Sequence, residues 1–440
     1  MANAVSSEEL TNFMGILGSG AREHALAWRL KKDNPSSHVQ FAFYPGNDYL
    51  AKLGVCVDRF EDLVELAQKC SGTRIIVIGS ELYAGIADEW IGQPKWVVWG
   101  PTRAAAQLEW SKIFSKKWMQ EHAIPTAKAI AFTKNKEEVA RCIPRSPHSV
   151  VMKYDGLLGG KGVLVVRNKQ QALDFYQSVA NMAGKHFTGK FVFEEKLEGV
   201  ERTLFLFVDR KGHVQPGPLC MDFKAKWDGN KGPNTGGMGS FTPAPIPQLG
   251  SSLNTVVERI SEGLKSSGLV YAGVLYVGLM LTSDGPKVLE FNVRLGDPEA
   301  QTFLPCLKTS LWDVMLQSDQ GKLTDPIQAV AGRGWGGIVC ATQDYAESPK
   351  NDRDVLHPTW LDPNVPYQIF FSGLKSKNDV FEVGSGRIAT IVYSFALDAP
   401  PDVVLSKEQA VLAWIQKHGW KHIHYRKDLG QQYVNQREVL

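Results

Sequence analysis

The 440-residue chain has few cysteines, almost no net charge and no long apolar run. Its six cysteines are scattered without CxxC or zinc-ligand spacing, which predicts reduced thiols in a cytosolic protein. No apolar run approaches the ~20 residues that span a bilayer, and residues 1–13 are too polar and acidic for a secretory signal. A net charge of +3 gives no reason to expect nucleic-acid or membrane binding. We therefore expect a cytoplasmic protein.

The composition is that of an ordinary globular protein, and the length suggests about three domains of ~150 residues each. Short apolar runs alternate with helical segments through the first quarter of the chain. This alternation predicts a doubly wound parallel sheet, in which ligands bind at the carboxyl ends of the strands. The predicted strands are Met14–Leu17, Val39–Phe43, Arg74–Ile78 and Trp96–Trp99, and the predicted helices are Arg22–Lys32 and segments near 58–70 and 81–92.

The first predicted strand ends in Gly18-x-Gly20, which suggests a dinucleotide fingerprint. The third glycine of that fingerprint is missing because Glu23 stands in its place, so the signal for a nicotinamide cofactor is weak. A helix N-terminus that carries Arg22 suits a phosphate or another anion. A tight strand-to-helix turn explains the same residues, and both interpretations stay open.

A glycine-rich loop from Tyr154 to Gly162 separates two predicted strands, Val151–Lys153 and Val163–Val166. A flexible loop in such a hairpin can fold over a polyphosphate and offer amide N–H groups, while Lys153 and Lys161 add positive charge. An ordinary exposed hairpin explains the pattern equally well. The next apolar block, Phe191–Leu197, suits either the edge of an adenine ring or an edge strand with a charged end.

Apolar and polar residues alternate from Lys287 to Arg294, so Glu290, Asn292 and Arg294 point to one face of a strand. Two neighbouring oxygen donors suit Mg²⁺, and the arginine suits an anion. The alternative is a solvated strand face. The sequence 296–299, Gly-Asp-Pro-Glu, follows at once and concentrates three carboxylates in ten residues, which favours a metal or phosphate site.

The run Gly232-Pro-Asn-Thr-Gly-Gly-Met-Gly239 is too flexible for a helix or a central strand. Its glycines permit close approach of the backbone to a ligand, and Asn234 and Thr235 supply oriented hydrogen bonds. Taken alone, the loop is more typical of a solvent-exposed connector. Beside the other polar segments, it is better interpreted as one wall of an active site.

Together these segments resemble the ATP-grasp enzymes and, within them, the phosphoribosylamine–glycine ligase family. Each match alone is weak, but their order along nearly the whole chain is highly specific. The matching residues are Gly18–Ala25, Pro45–Asn47, Gly100–Thr102, Gln107–Glu109, Ser111-Lys112, Ile124–Thr126, Lys153-x-Asp155-Gly156, Gly160–Gly162, Gly232–Gly239, Glu290-x-Asn292, Arg294, Gly296–Glu299 and Arg426–Asp428.

The resemblance implies an N-terminal α/β domain over residues 1–105 and an ATP-grasp body over 106–330. A small lid subdomain is expected at about 125–195, and a C-terminal α/β domain over 331–440 is expected to cover the cleft. In that last region the sequence predicts strands at Gly337–Ala341, Tyr367–Phe371 and Arg387–Tyr393, and a helix at Lys407–Lys417.

The resemblance also implies a reaction of purine biosynthesis. ATP converts glycine to an acyl phosphate, and the amine of 5-phosphoribosylamine then attacks it, giving glycinamide ribonucleotide, ADP and phosphate. Such chemistry depends mainly on positioning and on cations around the transferring phosphoryl group. The expected cofactors are ATP and Mg²⁺ or Mn²⁺, the expected partners are small molecules without nucleic acid or membrane, and the expected state is a monomer.

By the family pattern, each candidate residue receives an expected role. Catalysis is expected of Lys153, Asn234, Thr235, Arg294 and Asp297. ATP is expected to contact Lys112, Lys153, Gly159, Gly160, Lys161, Gly162, Glu195, Leu197 and Glu201. Glu290 and Asn292 are expected to bind the metal. The substrates, phosphoribosylamine above all, are expected at Gly18, Gly20, Arg22, His24, Gly46, Asn47, Gly236 and Gly237.

The chain departs from the family pattern mainly where the acid or the amine is expected. A ring and a carboxylate at Asp48-Tyr49 replace small residues and are expected to crowd or repel a phosphate. Phe223 and Ala225 replace His and Arg, the spacer 226–231 is unusual, and Gln343–Ala346 stands where Gly-Tyr-Pro is typical. These departures keep two alternatives open, a sister ligase that joins another amino acid or amine and a non-catalytic nucleotide-binding protein.

Overall fold

The structure is a computed structural model that describes residues 12–34, 38–142, 150–245, 252–346, 354–378 and 380–439. Most of the polar segment at the N-terminus, residues 1–11, therefore lies outside the described residues. Among the described residues, no helix combines the length and the apolar character that crossing a membrane requires.

The N-terminal segment forms the predicted doubly wound parallel sheet. Its strand order is β3-β2-β1-β4-β5, and all neighbouring strands in it are parallel. One helix covers each face, because Leu26 of the first helix packs with Met14, whereas Leu63 of the second packs with Phe13. The elements are β1 (Asn12–Gly18), α1 (Ala21–Asp33), β2 (Val39–Pro45), β3 (Val55–Cys56), α2 (Phe60–Gln68), β4 (Arg74–Ile78) and β5 (Trp96–Pro101).

The helix predicted near residues 81–92 is wrong. The segment forms two short 3₁₀ turns, Glu81–Tyr83 and Asp88–Trp90. Gly85 lies between them with φ +77°, and a Cβ atom there would stand 2.7 Å from the Cβ of Arg103. This left-handed conformation and close contact favour glycine and interrupt a continuous α-helix.

A separate four-stranded antiparallel sheet with the order β6-β9-β7-β8 follows two helices, α3 (Gln107–Trp110) and α4 (Lys112–Glu121). The predicted hairpin is confirmed, because β7 and β8 pair across the glycine-rich loop. The edge-strand interpretation of 191–197 is wrong, because β9 lies between β6 and β7. The elements are β6 (Ala129–Thr133), α5 (Lys136–Cys142), β7 (Val150–Tyr154), β8 (Val163–Val166), α6 (Lys169–Ala183) and β9 (Phe191–Glu195).

The central region supplies antiparallel strands and three helices that surround the predicted site. Its strands are β10 (Val200–Val208), β11 (Val214–Asp222), β12 (Ala225–Trp227), β13 (Lys231–Asn234), β14 (Gly239–Thr242), β15 (Tyr271–Thr282) and β16 (Gly285–Asn292), and its helices are α7 (Ser252–Ser267), α8 (Glu299–Cys306) and α9 (Leu311–Gln320).

The C-terminal region contains the strands predicted at 337–341, 367–371 and 387–393 and the helix predicted at 407–417, and these four elements are confirmed. Its elements are β17 (Arg333–Thr342), β18 (Gln368–Phe371), β19 (Leu374–Lys377), β20 (Val380–Val383), β21 (Arg387–Ala396), α10 (Pro401–His418), β22 (Ile423–His424) and α11 (Leu429–Val439).

One 14-stranded sheet runs through most of the described chain in the order β18-β21-β17-β14-β11-β10-β15-β5-β4-β1-β2-β3, with β16 on β15 and β22 on β17. The N-terminal sheet joins it where Pro101 pairs with Tyr271 and Gly100 with Ala272. The fold class expected from the sequence is therefore confirmed, while the domain boundaries stay predictions.

Candidate active site

Many of the predicted residues line one cavity of about 330 Å³. Its walls are the glycine-rich loop of the β7–β8 hairpin, strand β16, the loop 232–239 and the turn 296–299. The predicted residues on this first cavity are Arg22, Lys112, Gly159, Gly160, Gly162, Thr235, Gly236, Glu290, Asn292, Arg294 and Asp297.

Strand β16 presents Glu290 to the first cavity, where the carboxylate pairs with Lys112 at 2.9 Å. Burial opposes ionisation of Glu290, yet Lys112 and Lys224 lower its pKa to about 2. Burial likewise opposes the charge on Lys112, but Glu290 raises the pKa of that lysine above its ordinary value. The cavity therefore holds a fixed pair of opposite charges at neutral pH.

Arg294 extends the same polar face beyond the end of β16. Its guanidinium pairs with Glu81 at 3.2 Å and with Glu109 at 3.1 Å, and it lies 3.5 Å from Oδ1 of Asn292. Burial disfavours the cation, but Glu109 and Glu81 raise the pKa of Arg294. The predicted alternation of Glu290, Asn292 and Arg294 on one face is confirmed, because all three line the first cavity.

Several cavity residues received no role from the sequence. Lys224 pairs with Glu201 at 2.7 Å; burial opposes the charge of that lysine, but the neighbouring carboxylate of Asp222 raises its pKa well above the ordinary value. Burial, together with Asp222, raises the pKa of Glu299 to about 7. Glu109 stood in a matched sequence run, and Glu299 was one of the three carboxylates that favoured a metal or phosphate site, but neither received a role of its own.

Lys153 is absent from the lining of the first cavity. Its Nζ atom lies 2.9 Å from Glu194 and donates to the carbonyl of Leu289 at 2.8 Å. Glu194 also pairs with Lys116 at 3.1 Å, so one buried carboxylate joins two lysines beneath the floor formed by β16. Burial lowers the pKa of Lys116.

The glycine-rich loop of the β7–β8 hairpin adopts backbone conformations that only glycine tolerates easily. Gly159 has φ +54° and Gly160 has φ +80°, and both have open space around them. Lys161 is exposed at the tip of the loop and does not line the cavity. The loop therefore brings backbone rather than a charged side chain to the first cavity.

The residues expected around adenine and ribose lie beside the first cavity rather than in its lining. Glu195 accepts a hydrogen bond from the Lys128 N–H at 2.8 Å, and Leu197 is half-buried in the connection to β10. Glu201 lines a third cavity of about 400 Å³ together with Asn234, Phe223 and Ala225.

A second cavity of about 440 Å³ contains the predicted Gly20, Gly46 and Asn47. The amide of Asn47 donates to the carbonyls of Ser19 at 2.7 Å and Ser372 at 3.1 Å, so it ties N-terminal to C-terminal loops. The C-terminal side of this cavity is formed by Ser372, Gly373, Leu374, Lys375, Gly384, Ser385 and Arg387.

Three other predicted substrate residues have structural partners. The carboxylate of Glu23 accepts from the Gly20 N–H at 2.6 Å and from Arg22 at 2.8 Å, so it occupies the anion position at this helix N-terminus. Gly18 is buried with φ +143°, and the Glu23 carboxylate fills the space beside it. His24 is buried, accepts from the Phe371 N–H at 2.9 Å, and burial lowers its pKa to about 3.

The loop 232–239 packs closely against its surroundings. Thr235 donates to the carbonyl of Lys224 at 2.9 Å and accepts from the Gly237 N–H at 3.0 Å. Gly237 has φ +112°, and a Cβ atom there would collide with Pro298 in the turn 296–299. The segment begins within β13 and ends at the start of β14, and Thr235 and Gly236 between these strands line the first cavity. The loop 232–239 is therefore a wall of that cavity, not a free connector.

The departures at Asp48 and Tyr49 do not crowd either the first or the second cavity. Asp48 accepts a hydrogen bond from the Ser376 N–H at 2.6 Å, and the Tyr49 ring packs 4.5 Å from that of Phe371 and 4.8 Å from that of His24. The crowding expected of these two side chains is not found at either cavity, because both turn towards the C-terminal region.

A divalent cation fits the donors on β16 only together with ligands from a substrate. Glu290 and Asn292 supply one carboxylate and one amide oxygen, and the described residues contain no group of three or more His, Cys, Asp or Glu arranged around a common ion. Mg²⁺ is commonly held by one or two protein oxygens plus phosphate oxygens and water. The donor set therefore fits a cation carried in with a nucleotide.

The fold and these two polar cavities define the class, an ATP-grasp ligase. The family model described as "Phosphoribosylglycinamide synthetase, ATP-grasp (A) domain" matches residues 110–300, and the one described as "Phosphoribosylglycinamide synthetase, N domain" matches residues 14–109. The ATP-grasp family uses ATP.

Relatives over the whole length narrow the class. The chain is 35% identical to a phosphoribosylamine–glycine ligase of Ralstonia nicotianae, over 94% of this chain and 98% of the relative. It is 33% identical to that of Caldanaerobacter subterraneus, over 95% and 99%. The chain therefore belongs to the phosphoribosylamine–glycine ligase family.

Longer relatives and solved structures agree with this placement. The chain is 40% identical to the human trifunctional purine biosynthetic protein adenosine-3 over 94% of its own length, but it spans only 41% of that protein. A Thermotoga maritima phosphoribosylamine–glycine ligase has a TM-score of 0.77 at 27% identity, covering 94% of this chain and 99% of that one. A biotin carboxylase domain from Hydrogenobacter thermophilus shares the fold, with a TM-score of 0.69 at 15% identity. The match covers 98% of this chain and 94% of that one.

Proposed function

We propose that the chain joins glycine to 5-phosphoribosylamine with ATP, in two steps that use the two adjoining cavities. In the first step a glycine carboxylate oxygen attacks the γ-phosphorus of ATP, the bond to the β-phosphate oxygen breaks, and ADP leaves. In the second step the amine nitrogen attacks the acyl carbon, phosphate leaves with the electron pair of the broken C–O bond, and the nitrogen gives up a proton.

The observation that carries the proposal is the meeting of the two cavities at Asp297, which lines both. The first cavity holds Lys112 and Arg294, two cations whose ion pairs keep them charged. Fixed cations stabilise the charge of a transferring phosphoryl group without reorganisation. An acyl phosphate made there would have only to cross to the adjoining second cavity to meet the amine, which shortens its exposure to water.

The assignments of individual residues rest on the family resemblance, and the lining of the first cavity supports those of Lys112, Glu290, Asn292 and the glycine-rich loop. Glu290 and Asn292 would hold Mg²⁺ or Mn²⁺, which supplies charge neutralisation at the phosphates when bound. Lys112 and the backbone of Gly159–Gly162 would contact the phosphates, and Glu201 the ribose. We place Lys153 behind the floor as a positive charge that acts through Glu194 and Leu289 in the described arrangement.

Glycine is proposed as the acid because the departures that do line a cavity, Phe223, Ala225 and Asn230 of the spacer, line the third one. The test is an assay with ATP, glycine and freshly generated phosphoribosylamine, in which ADP and glycinamide ribonucleotide should form in a 1:1 ratio. A panel of other amino acids and amines supplies the control. ADP release with a different acid or amine, and none with this pair, would contradict the proposal in favour of a sister ligase.

A further inference from the structure

Two side chains of the C-terminal region hold Gly236 of the loop 232–239 from opposite sides. The phenol oxygen of Tyr345 accepts a hydrogen bond from the Gly236 N–H at 2.9 Å, and Arg387 donates to the Gly236 carbonyl at 2.6 Å. A Cβ atom on Gly236 would stand 2.9 Å from that phenol oxygen and 3.2 Å from Cζ of Arg387. A side chain at position 236 would therefore have to displace Tyr345 or Arg387.

Arg387 also fixes Asp297. It donates to the Asp297 carbonyl at 2.5 Å and pairs with Oδ2 of the carboxylate at 2.9 Å, while Gln301 donates to Oδ1 at 2.7 Å. Both carboxylate oxygens are thus held, and one guanidinium joins the loop 232–239 to the turn 296–299. Arg387 begins β21, far from either segment in sequence.

The position of this contact distinguishes it from an ordinary surface ion pair. Asp297 and Arg387 are the two described residues that line both the first and the second cavity. Their side chains are only 18% and 22% exposed, so most of the pair is shielded from solvent. The geometry restricts where the Asp297 carboxylate and the Gly236 backbone stand at the junction.

We propose that Arg387 and Tyr345 form a clamp that positions Gly236 and Asp297 for the amide-forming step, whereas acyl phosphate formation does not depend on it. Within the proposed function, on which this inference rests, Asp297 meets the amine. Neither clamp residue makes a hydrogen bond or an ion pair with Lys112, Glu290 or Asn292 in the described structure. The fold also shows why the tyrosine is the informative residue of the segment 343–346, since its phenol oxygen reaches the loop.

The test compares Arg387→Gln and Tyr345→Phe with two matched controls, Arg333→Gln on an exposed strand end and Tyr367→Phe, whose ring packs against Trp414. In the clamp variants the amine KM should rise, about 10- to 100-fold for Arg387→Gln, which loses charge-assisted bonds, and about 3- to 10-fold for Tyr345→Phe, which loses one neutral bond. ADP should exceed amide product because stranded acyl phosphate hydrolyses. The KM for ATP in the clamp variants should stay within about twofold of the wild-type value. In the two control variants both KM values should stay within the same range.

A second readout needs no turnover. Backbone hydrogen exchange across residues 232–239 should be faster in both clamp variants than in the wild type and the controls. Arg387→Lys, with a single ammonium, should restore the pairing with Asp297 but only part of the exchange protection. Unchanged exchange in Arg387→Gln and Tyr345→Phe would overturn the clamp. If the KM values for ATP and for the amine rose equally while ADP and amide still formed in a 1:1 ratio, the clamp would not be restricted to the second step. Absence of turnover in the wild type would contradict the proposed function alone.

Discussion

The two cavities that meet at Asp297 are built from different materials. The first is lined by charged side chains in fixed pairs, among them Lys112 with Glu290 and Arg294 with Glu109. The second is lined mainly by serine and glycine on short loops, with Lys375 as its one cation besides Arg387 among the described lining residues. Charge therefore organises one cavity and backbone shape the other.

This difference teaches how the two proposed steps divide their requirements. Transfer of a phosphoryl group needs strong, preorganised charge, which paired ions in a partly buried site provide. Recognition of a sugar and an amine needs hydrogen bonds and close approach, which backbone groups provide at little conformational cost. Substitutions in the first cavity should therefore affect the chemical step, and those in the second should affect stability or binding.

The largest expected effect is on ADP formation in Glu290→Ala. The variant removes the carboxylate proposed as a metal ligand and leaves Lys112 without its partner, so kcat should fall by at least about 10²–10³-fold with the fold intact. Steady-state ADP release and thermal unfolding are the measurements. Lys287→Ala on the same strand is the control. Near-normal turnover in Glu290→Ala would exclude the metal assignment.

The next largest effect is expected on the pH dependence of stability, and it comes from a buried carboxyl group outside both cavities. Glu408 of α10 is 1% exposed and accepts from the Gly430 N–H, and burial raises its pKa from 4.5 to about 7. The charged groups around it are Asp428, Asp228 and Arg426. The folded state therefore favours the protonated acid more strongly than the unfolded chain does.

The sign of the pH dependence follows because the pKa of Glu408 is higher in the folded protein than in the unfolded chain. Below pH 4.5 the group is protonated in both states, and from 4.5 to about 7 only the unfolded chain ionises. Over this window the free energy of unfolding should fall by about 3 kcal/mol, at ~1.4 kcal/mol per pKa unit. Chemical denaturation between pH 5 and 8 should show that Glu408→Gln loses this part of the slope. Parallel curves for the variant and the wild type would contradict it.

A smaller effect on stability is expected when Gly46 of the second cavity is replaced by alanine. Comparison with Gly92, which has a similar backbone conformation, separates the cost of that conformation from the cost of a steric clash. Gly46 and Gly92 have nearly equal φ values of +74° and +78°, but a Cβ on Gly46 would collide with Cys56, whereas Gly92 has nothing within 4 Å. Gly92→Ala should cost about 1 kcal/mol of stability and Gly46→Ala about 1–3 kcal/mol more. The amine KM should rise in Gly46→Ala alone. Equal losses in the two variants would show that the cavity wall adapts.

The smallest expected effect is that of Lys375→Gln in the second cavity. Lys375 is exposed, so solvent screens its attraction for a phosphate and its contribution should be at most about 1 kcal/mol, or roughly fivefold in the amine KM. The effect should shrink as salt increases. If kcat in Lys375→Gln fell as far as is expected for Glu290→Ala, the proposed difference between the two cavities would be contradicted.

Local patterns predicted much of this arrangement. The alternation around Glu290 fixed one face of β16, and the apolar runs on both sides of the glycine-rich loop predicted the hairpin of β7 and β8. Such features depend on neighbours in sequence. The helix expected at 81–92 is wrong because two positive-φ glycines, Gly85 within the segment and Gly92 at its end, interrupt the helical character of their neighbours.

Contacts between distant segments were not predictable from one sequence. Arg387 lies 90 residues from Asp297, and Lys116 of α4 pairs with Glu194 of β9, 78 residues away. Asp48 and Tyr49 were expected to crowd or repel a phosphate because they follow Asn47 in the sequence. Their position along the chain, however, does not tell in which direction their side chains point. Their hydrogen bond and ring contacts with the C-terminal region settle that direction.

The junction of β5 with β15 has a consequence for biosynthesis. Strand β5 is buried along its whole length, yet its partner residues Tyr271 and Ala272 are translated about 170 residues later. At ~5–20 residues per second, the edge of a completed N-terminal sheet waits roughly 10–30 s for its neighbour. An unpaired apolar edge is a template for pairing with another chain. The end of β5 at Gly100 and Pro101 therefore stays without its strand partner until the central region leaves the ribosome.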